Sequence, residues 1–115
     1  MTTVHADATP TLDLSPLDEI LRRIVASWAP KQVWLFGSRA RGTATPESDW
    51  DLLAVVPDSI DESDIDPVSS WKLAKNSGIR AEIFPCRVAD FDEDRQTPNT
   101  LAFEAAMRGV LVYER

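Results

Sequence analysis

The sequence predicts an α/β domain in which helices pack against a short mixed β-sheet. Two observations favour this class: stretches with helical apolar spacing alternate with short β-rich runs, and no internal repeat or low-complexity linker interrupts them. The 115 residues, of which 43% are hydrophobic and 27% charged, suffice for one hydrophobic core. We therefore expect a single domain over residues 15–115, preceded by a loose polar tail over residues 1–14.

The first helix is predicted to begin at Ser15-Pro16, because serine caps helix N-termini and proline fits the first helical position. Pro30 ends it. The apolar face of this helix repeats at helical spacing. Its residues are Leu17, Ile20, Leu21, Ile24, Val25 and Trp28.

Two strands are predicted next, with a short helical segment between them. The β-rich segment 32–36 predicts a buried strand that ends at Gly37. A helical segment over 38–41 follows and is broken by Gly42. A polar, proline-containing loop then leads to a second strand over 50–56.

The second half of the chain begins with an acidic stretch over 58–66, which we expect to be a solvated loop. Asp66 then caps a helix in which Val68 and Trp71 point inward. All four tryptophans are expected at the core or its edge. The remaining predicted elements are that helix over 67–76, a strand over 79–84, an acid-rich loop, a helix over 98–108 and a last strand over 110–113.

The composition argues against several functional classes. A net charge of −7 offers no basic surface for a nucleic-acid backbone, so DNA or RNA is not an expected acceptor. The single cysteine, Cys86, and the single histidine, His5, argue against an intramolecular disulfide and a His/Cys zinc site. No segment approaches the ~20 apolar residues of a transmembrane helix, and no secretory signal is recognisable. We therefore expect a cytoplasmic protein without membrane contact.

Two aspartates mark the start of the second predicted strand. Alternate residues of a strand point to the same face, so Asp49 and Asp51 should project together, with Cα atoms ~6.5 Å apart. Carboxylates at this spacing can hold two magnesium-like ions and leave positions open for water and phosphate oxygens. A purely structural reason for the pair is hard to find, because unpaired charges are costly to bury.

Gly37 and Ser38 are separated from Asp49 by ten residues and suggest the phosphate-binding half of a site. Taken alone, Gly-Ser after a strand is usually just a turn. Close to a metal-binding pair, the Gly-Ser turn can also bind phosphate. Glycine lets the backbone approach a ligand, and the following amides and hydroxyl can bind an anion. Arg39 and Arg41 can contact the phosphates or form surface ion pairs, and the sequence leaves both alternatives open.

The stretch GSRARGTATPESDWDLLAVV resembles the signature of DNA polymerase beta-like nucleotidyltransferases: Gly-Ser, a spacer of ten residues, then Asp-x-Asp in a hydrophobic strand. Together with the length and the ending GVLVYER, it is most similar to the minimal nucleotidyltransferases (MNT), often paired with a HEPN protein in prokaryotic toxin–antitoxin modules. The resemblance covers roughly residues 15–115 and implies the α+β nucleotidyltransferase fold. It also implies transfer of a nucleoside monophosphate from a triphosphate to a hydroxyl, with two Mg²⁺ or Mn²⁺ ions.

The resemblance further implies a role for each motif residue. Gly37 and Ser38 would bind the β- and γ-phosphates, and Asp49 and Asp51 would be metal ligands. A third carboxylate on a neighbouring strand, which Glu82 matches, would hold the metal that activates the attacking hydroxyl. Many relatives have aspartate there, and glutamate is one methylene longer. The alternative interpretation of Glu82 is an exposed strand residue paired with Arg80 or another neighbour.

Three functions remain open from the sequence. The first is transfer of AMP from ATP, or of another nucleotide, to a hydroxyl on a HEPN-type protein partner, with this chain as the antitoxin. The second is a nucleotide-binding interaction module with little or no catalysis. The third is transfer to a small molecule such as an aminoglycoside, for which a homo-oligomer would have to build the acceptor pocket.

Overall fold

The computed structural model describes residues 2–3 and 12–115, and its described strands form one mixed five-stranded sheet. In chain order they are β1 (Thr2–Thr3), β2 (Gln32–Phe36), β3 (Trp50–Val56), β4 (Ala81–Arg87) and β5 (Val110–Glu114). Their order across the sheet is β1-β5-β2-β3-β4. β3 and β4 run parallel, and the other neighbours pair antiparallel.

Helices cover both faces of this sheet. In the described residues they are α1 (Asp18–Trp28), α2 (Ser38–Arg41), α3 (Pro67–Ala74), α4 (Val88–Asp94) and α5 (Leu101–Arg108), with single 3₁₀ turns at Ser15–Leu17 and Glu62–Asp64. The apolar face of α1 packs on one side of the sheet, and α4 and α5 pack on the other. The predicted α/β class with a mixed sheet is thereby confirmed. No helix in the described residues is long and apolar enough to cross a membrane.

The interior strand β3 contributes to two separate apolar clusters. Leu52 and Ala54 pack on the α1 side, whereas Leu53 and Val55 pack on the side of α4 and α5. Because both faces are buried, the strand is a continuous apolar run instead of an alternating one. Asp51 interrupts that run near the amino end of β3, on the same face as Leu53.

The N-terminal part differs from the prediction. Thr2–Thr3 pairs with β5, and Leu14 is buried in the core, so packing begins before residue 15. The tail prediction stays a prediction for residues 1 and 4–11, which lie outside the described residues. Ser15 is not the cap that was predicted: its amide and hydroxyl both donate to Oδ1 of Asp13, at 3.0 and 2.8 Å.

Three later elements differ most from those predicted, whereas α3 and β5 differ at one end by only two residues and one residue. The strand predicted over 79–84 runs over Ala81–Arg87 and includes Pro85, which an edge strand tolerates because its outer N–H groups are not needed in the ladder. The predicted acid-rich loop contains α4, because Phe91 anchors that helix in the core. The last helix begins at Leu101, where Thr100 accepts a hydrogen bond from the amide of Phe103 at 3.1 Å.

The prediction that all tryptophans lie at the core or its edge is wrong for Trp71, which lies on α3. Trp71 and Val68 are 59% and 58% exposed, although the prediction turned both inward. Trp28 and Trp50 are buried, and Trp34 is half-buried. Helix α3 lies beside the edge strand β4, so only part of the helix surface packs against the sheet and the rest is exposed.

Candidate active site

Gly37 joins β2 to α2, at the end of β2 that lies beside the start of β3. Its backbone angles, φ 77° and ψ −159°, belong to a region that is essentially restricted to glycine. The preceding residue, Phe36, is the register partner of Asp51. As a result, a Cβ atom on Gly37 would lie 2.5 Å from Oδ2 of Asp51. Glycine is therefore required here by its conformation, and any side chain would also have to displace the Asp51 carboxylate.

Asp51 and Glu82 are direct register partners in the parallel β3–β4 pair. Their neighbours Leu52 and Ile83 both pack on the α1 side, so the two carboxylates project from the opposite face. Burial raises the pKa of Asp51 above its ordinary value, and the negative charges of Glu82 and Asp49 raise it further. Asp51 therefore lies close enough to both Glu82 and Asp49 to be repelled by their negative charges.

Asp49 has a cationic partner. Nε of Arg80 donates to Oδ1 of Asp49 at 2.8 Å, and Nη2 of Arg80 donates to the carbonyl of Glu47. The carbonyl of Arg80 accepts from the amide of Trp50 at 2.9 Å, which extends the β3–β4 ladder by one bond. The alternative interpretation of Glu82 paired it with Arg80, but the ion pair of Arg80 is made with Asp49 instead.

Glu82 is exposed on the edge strand and lines two adjoining clefts of about 380 and 530 Å³. The exposed ring of Trp71 forms a wall common to both, and the ammonium of Lys75 lies 4.8 Å from the ring centroid. The larger cleft also reaches Asp49 and Arg80. Glu82, and in the larger cleft also Asp49, therefore borders a space large enough for a small ligand or a protein side chain.

The two arginines of the motif have different surroundings. The guanidinium of Arg39 donates to the carbonyl of Ser48, at 2.9 Å from Nη2, and lies 4.5 Å from the ring centroid of Trp50. Arg39 thus fastens the loop that leads into β3. Arg41 forms a long ion pair with Glu104, at 3.7 Å, and its charge lowers the pKa of Asp51 against the effects that raise it. Arg41 is the motif arginine whose charge acts on the carboxylates.

Ser38 begins α2 directly after the glycine. In the described part of the chain its hydroxyl makes no hydrogen bond to protein, while the amides of Ala40 and Arg41 both donate to the carbonyl of Gly37 at 3.1 Å. The hydroxyl is accordingly available to a ligand, and the turn that presents it is fixed by two backbone bonds.

The donor set suits a hard divalent cation. Such ions prefer carboxylate oxygens, and the repulsion that raises the pKa of Asp51 is the repulsion that a cation would relieve. The donors are not assembled in advance: among the described residues, no three His, Cys, Asp or Glu side chains are grouped to hold one ion. One of the three carboxylates, that of Asp49, is paired with Arg80 instead.

The fold is shared with several solved structures. A toxin–antitoxin with AMP-PNP gives a TM-score of 0.60 at 19% identity, covering 89% of this chain and 75% of the other. A proposed nucleotidyltransferase from Sulfolobus solfataricus gives 0.57 at 24% identity, with 89% and 80% covered. A mutant of the toxin–antitoxin MntA-HpeT gives 0.58 at 17% identity, with 85% and 73% covered.

No curated protein matches the sequence at a significant level. The family described as "Nucleotidyltransferase domain" matches residues 17–97, a span that begins in the first helical turn, contains the glycine turn and all three carboxylates, and ends just after α4. This span is well over half of the 115 residues. The chain therefore belongs to the nucleotidyltransferase domain family.

Proposed function

We propose that this protein transfers a nucleoside monophosphate, AMP from ATP in the first instance, to a hydroxyl group on a partner protein. The observation that carries the proposal is the in-register pair of Asp51 and Glu82 beside the Gly37 turn. Charge repulsion between carboxylates on adjacent strands lowers stability, so the arrangement is best explained by a cationic ligand.

Gly37 and Ser38 are proposed to bind the β- and γ-phosphates. The glycine backbone can approach the phosphates because it carries no Cβ, and the Ser38 hydroxyl supplies a donor. Arg41 is near enough to influence Asp51 and can add positive charge on the polyphosphate. Arg39 is better explained as the residue that holds the loop before β3, given its bond to Ser48.

Asp49, Asp51 and Glu82 are proposed to hold two divalent ions. When bound, such ions neutralise the phosphates and lower the pKa of the attacking hydroxyl. In the reaction the acceptor oxygen forms a bond to the α-phosphorus, the bond from that phosphorus to the bridging oxygen of the β-phosphate breaks, and pyrophosphate leaves. Glu82, exposed towards the clefts, can receive the proton of the acceptor hydroxyl.

A protein acceptor, specifically a HEPN-type partner, is proposed because two of the similar structures are toxin–antitoxins, one of them with AMP-PNP. The net charge of −7 disfavours a nucleic-acid acceptor. This chain would then act as the antitoxin that modifies its toxin partner.

The test is to incubate the protein with its genetically linked HEPN-type partner, Mg²⁺ and ATP carrying a label on either the α- or the γ-phosphate. Transfer of the α-label with release of pyrophosphate, and a mass increase of one AMP on a partner tyrosine or threonine, are expected. Asp51→Asn should abolish the transfer, whereas the exposed Asp92→Asn on α4 should leave it intact. Transfer of the γ-label, or no transfer from folded protein with any nucleotide, would contradict the proposal.

The ion pair between Asp49 and Arg80 favours a second candidate, a nucleotide-binding interaction module with weak or no catalysis. In that case the protein would neutralise its partner through contact alone. Neutralisation that survives in an Asp49→Asn/Asp51→Asn double variant, as judged by growth of cells producing both proteins, would favour this candidate over the first.

A further inference from the structure

Four charged side chains form a block of two by two at the amino ends of β3 and β4. Asp51 and Glu82 are register partners, and two residues earlier in each segment an ion pair joins Asp49 and Arg80. We call these four residues the charged block. It contains three acids and one base.

Arg80 is the cation that belongs to this block. Among the ion pairs of the described residues, Asp49 is paired with Arg80, while Asp51 and Glu82 have no arginine or lysine within 4.0 Å. Arg41 acts on Asp51 from a distance but is paired with Glu104. The balance of charge in the block therefore depends on Arg80 more than on any other described side chain.

The contact that Arg80 makes is well suited to exchange. Its side chain is 72% exposed, and that of Asp49 is 43% exposed, so neither is locked by packing. Exposed ion pairs contribute little to stability. The guanidinium is also anchored to the carbonyl of Glu47, which can hold it beside the block after Asp49 has turned away.

We propose that Arg80 is a positioning residue that serves as the displaceable counter-ion of Asp49, so that a divalent cation binds the charged block by exchanging with its guanidinium. Oδ1 of Asp49 accepts a hydrogen bond from Nε, and that contact must break before the oxygen can ligate a cation. Arg80 therefore lowers metal affinity while it stabilises the protein in the absence of metal. This inference rests on the proposed metal-dependent function.

The two expected effects of removing Arg80 have opposite signs, which separates this role from a merely structural one. Without the arginine, the three carboxylates repel one another more strongly, so the metal-free protein should melt at a lower temperature. The same loss removes the competitor and leaves a more negative site, so a cation should bind more tightly. A residue that only shapes the site would weaken both when removed.

The experiment compares wild type, Arg80→Gln and Arg80→Lys, with Arg41→Gln as the matched control for loss of a nearby cation that does not contact Asp49. Binding of Mn²⁺ alone is measured by electron paramagnetic resonance of the free ion, and melting temperature is measured in EDTA. We expect Arg80→Gln to bind Mn²⁺ about two- to five-fold more tightly and to melt below wild type. Arg80→Lys should stay close to wild type in both.

Unchanged or weaker Mn²⁺ binding by Arg80→Gln would overturn the inference and leave the proposed function standing, provided that wild type binds the ion. An equal gain in Arg41→Gln would also overturn it, because the effect would then be one of net charge alone. If neither wild type nor Arg80→Gln binds Mn²⁺, with or without ATP, both the inference and the metal-dependent function fail.

Discussion

Gly37 and Asp51 are so close that a side chain on the glycine would have to displace the carboxylate: a Cβ atom on Gly37 would lie 2.5 Å from Oδ2 of Asp51. The glycine follows β2 and the aspartate belongs to β3, and the antiparallel register of these strands brings them together. The turn proposed to hold phosphate and the strand proposed to hold metal are therefore a single packed unit.

Gly37→Ala should destabilise the protein by about 2–3 kcal/mol, because it combines a glycine-only conformation with a collision. Gly42→Ala is the control for a positive φ alone, because Gly42, with φ 76° and ψ 16°, lies in the left-handed helical region and has no atom within 4 Å of its would-be Cβ. Its cost should stay near 1 kcal/mol. Urea unfolding measures both, and equal costs would show that Asp51 does not constrain Gly37.

A double variant tests the contact itself. In an Asp51→Ala background the carboxylate oxygen is gone, and the remaining Cβ of residue 51 lies at an ordinary 3.6 Å. The cost of Gly37→Ala should therefore fall towards that of Gly42→Ala. If it does not fall, backbone strain alone explains the requirement for glycine.

The sequence predicted the parts of the site that are local. Gly37, Ser38, Asp49 and Asp51 lie within one strand–turn–strand unit, and their spacing alone brings them to one end of it. The juxtaposition of Asp51 with Glu82 depends on how two distant strands align, and the resemblance to a family supplied it where periodicity could not.

The features that the sequence did not predict are set by tertiary packing. The contact of Arg80 with Asp49 follows from the β3–β4 register, which no local pattern encodes. The exposure of Trp71 follows from the position of α3 beside an edge strand. Helix α4 was not predicted because its many acidic residues are typical of a solvated loop. A single buried residue, Phe91, anchors the helix.

Asp51→Asn should raise the melting temperature at neutral pH by about 2–4 °C in EDTA. The pKa of Asp51 is raised by burial and by Glu82 and Asp49, so the folded protein binds the proton more tightly than the unfolded chain does. Its ionisation consequently removes stability as the pH rises from the unfolded pKa through the raised one. The Asp51→Asn variant has no carboxyl at this position to ionise, so it does not lose this stability over that pH range.

The difference between Asp51→Asn and wild type should therefore vanish below the unfolded pKa of aspartate, which is about 3.9. Melting curves from about pH 3 to pH 8 measure it, with the exposed Asp92→Asn as the control that should follow wild type throughout. A variant less stable than wild type at neutral pH would show that the Asp51 carboxylate makes a stabilising contact instead.

Glu82→Gln should lower kcat for nucleotide transfer by about a hundredfold or more, because the amide removes the carboxylate proposed to assist the attacking hydroxyl. Nucleotide affinity should change much less, since Gly37, Ser38 and Arg41 are proposed to bind the phosphates. Rapid-quench kinetics and nucleotide titration separate the two quantities. Glu93→Gln, an exposed acid on α4, serves as the control. Equal transfer rates in Glu82→Gln and Glu93→Gln would show that Glu82 is an exposed strand residue without a role in the reaction.

Arg23→Ala should destabilise the protein by about 1–2 kcal/mol, because its guanidinium binds carbonyls at the C-terminal end of α3, where helix carbonyls lack internal partners. It donates to the carbonyls of Lys75 at 2.6 Å and Asn76 at 2.9 Å, while Glu19 holds its Nε at 2.8 Å. Arg22→Ala is the control, because Arg22 contacts the same Glu19 from an exposed position, and it should cost much less stability than Arg23→Ala. Hydrogen exchange should show faster opening of residues 72–76 only in Arg23→Ala. Equal exchange rates in both variants would mean that packing, and not Arg23, stabilises the end of α3, the helix whose Trp71 lines the two clefts.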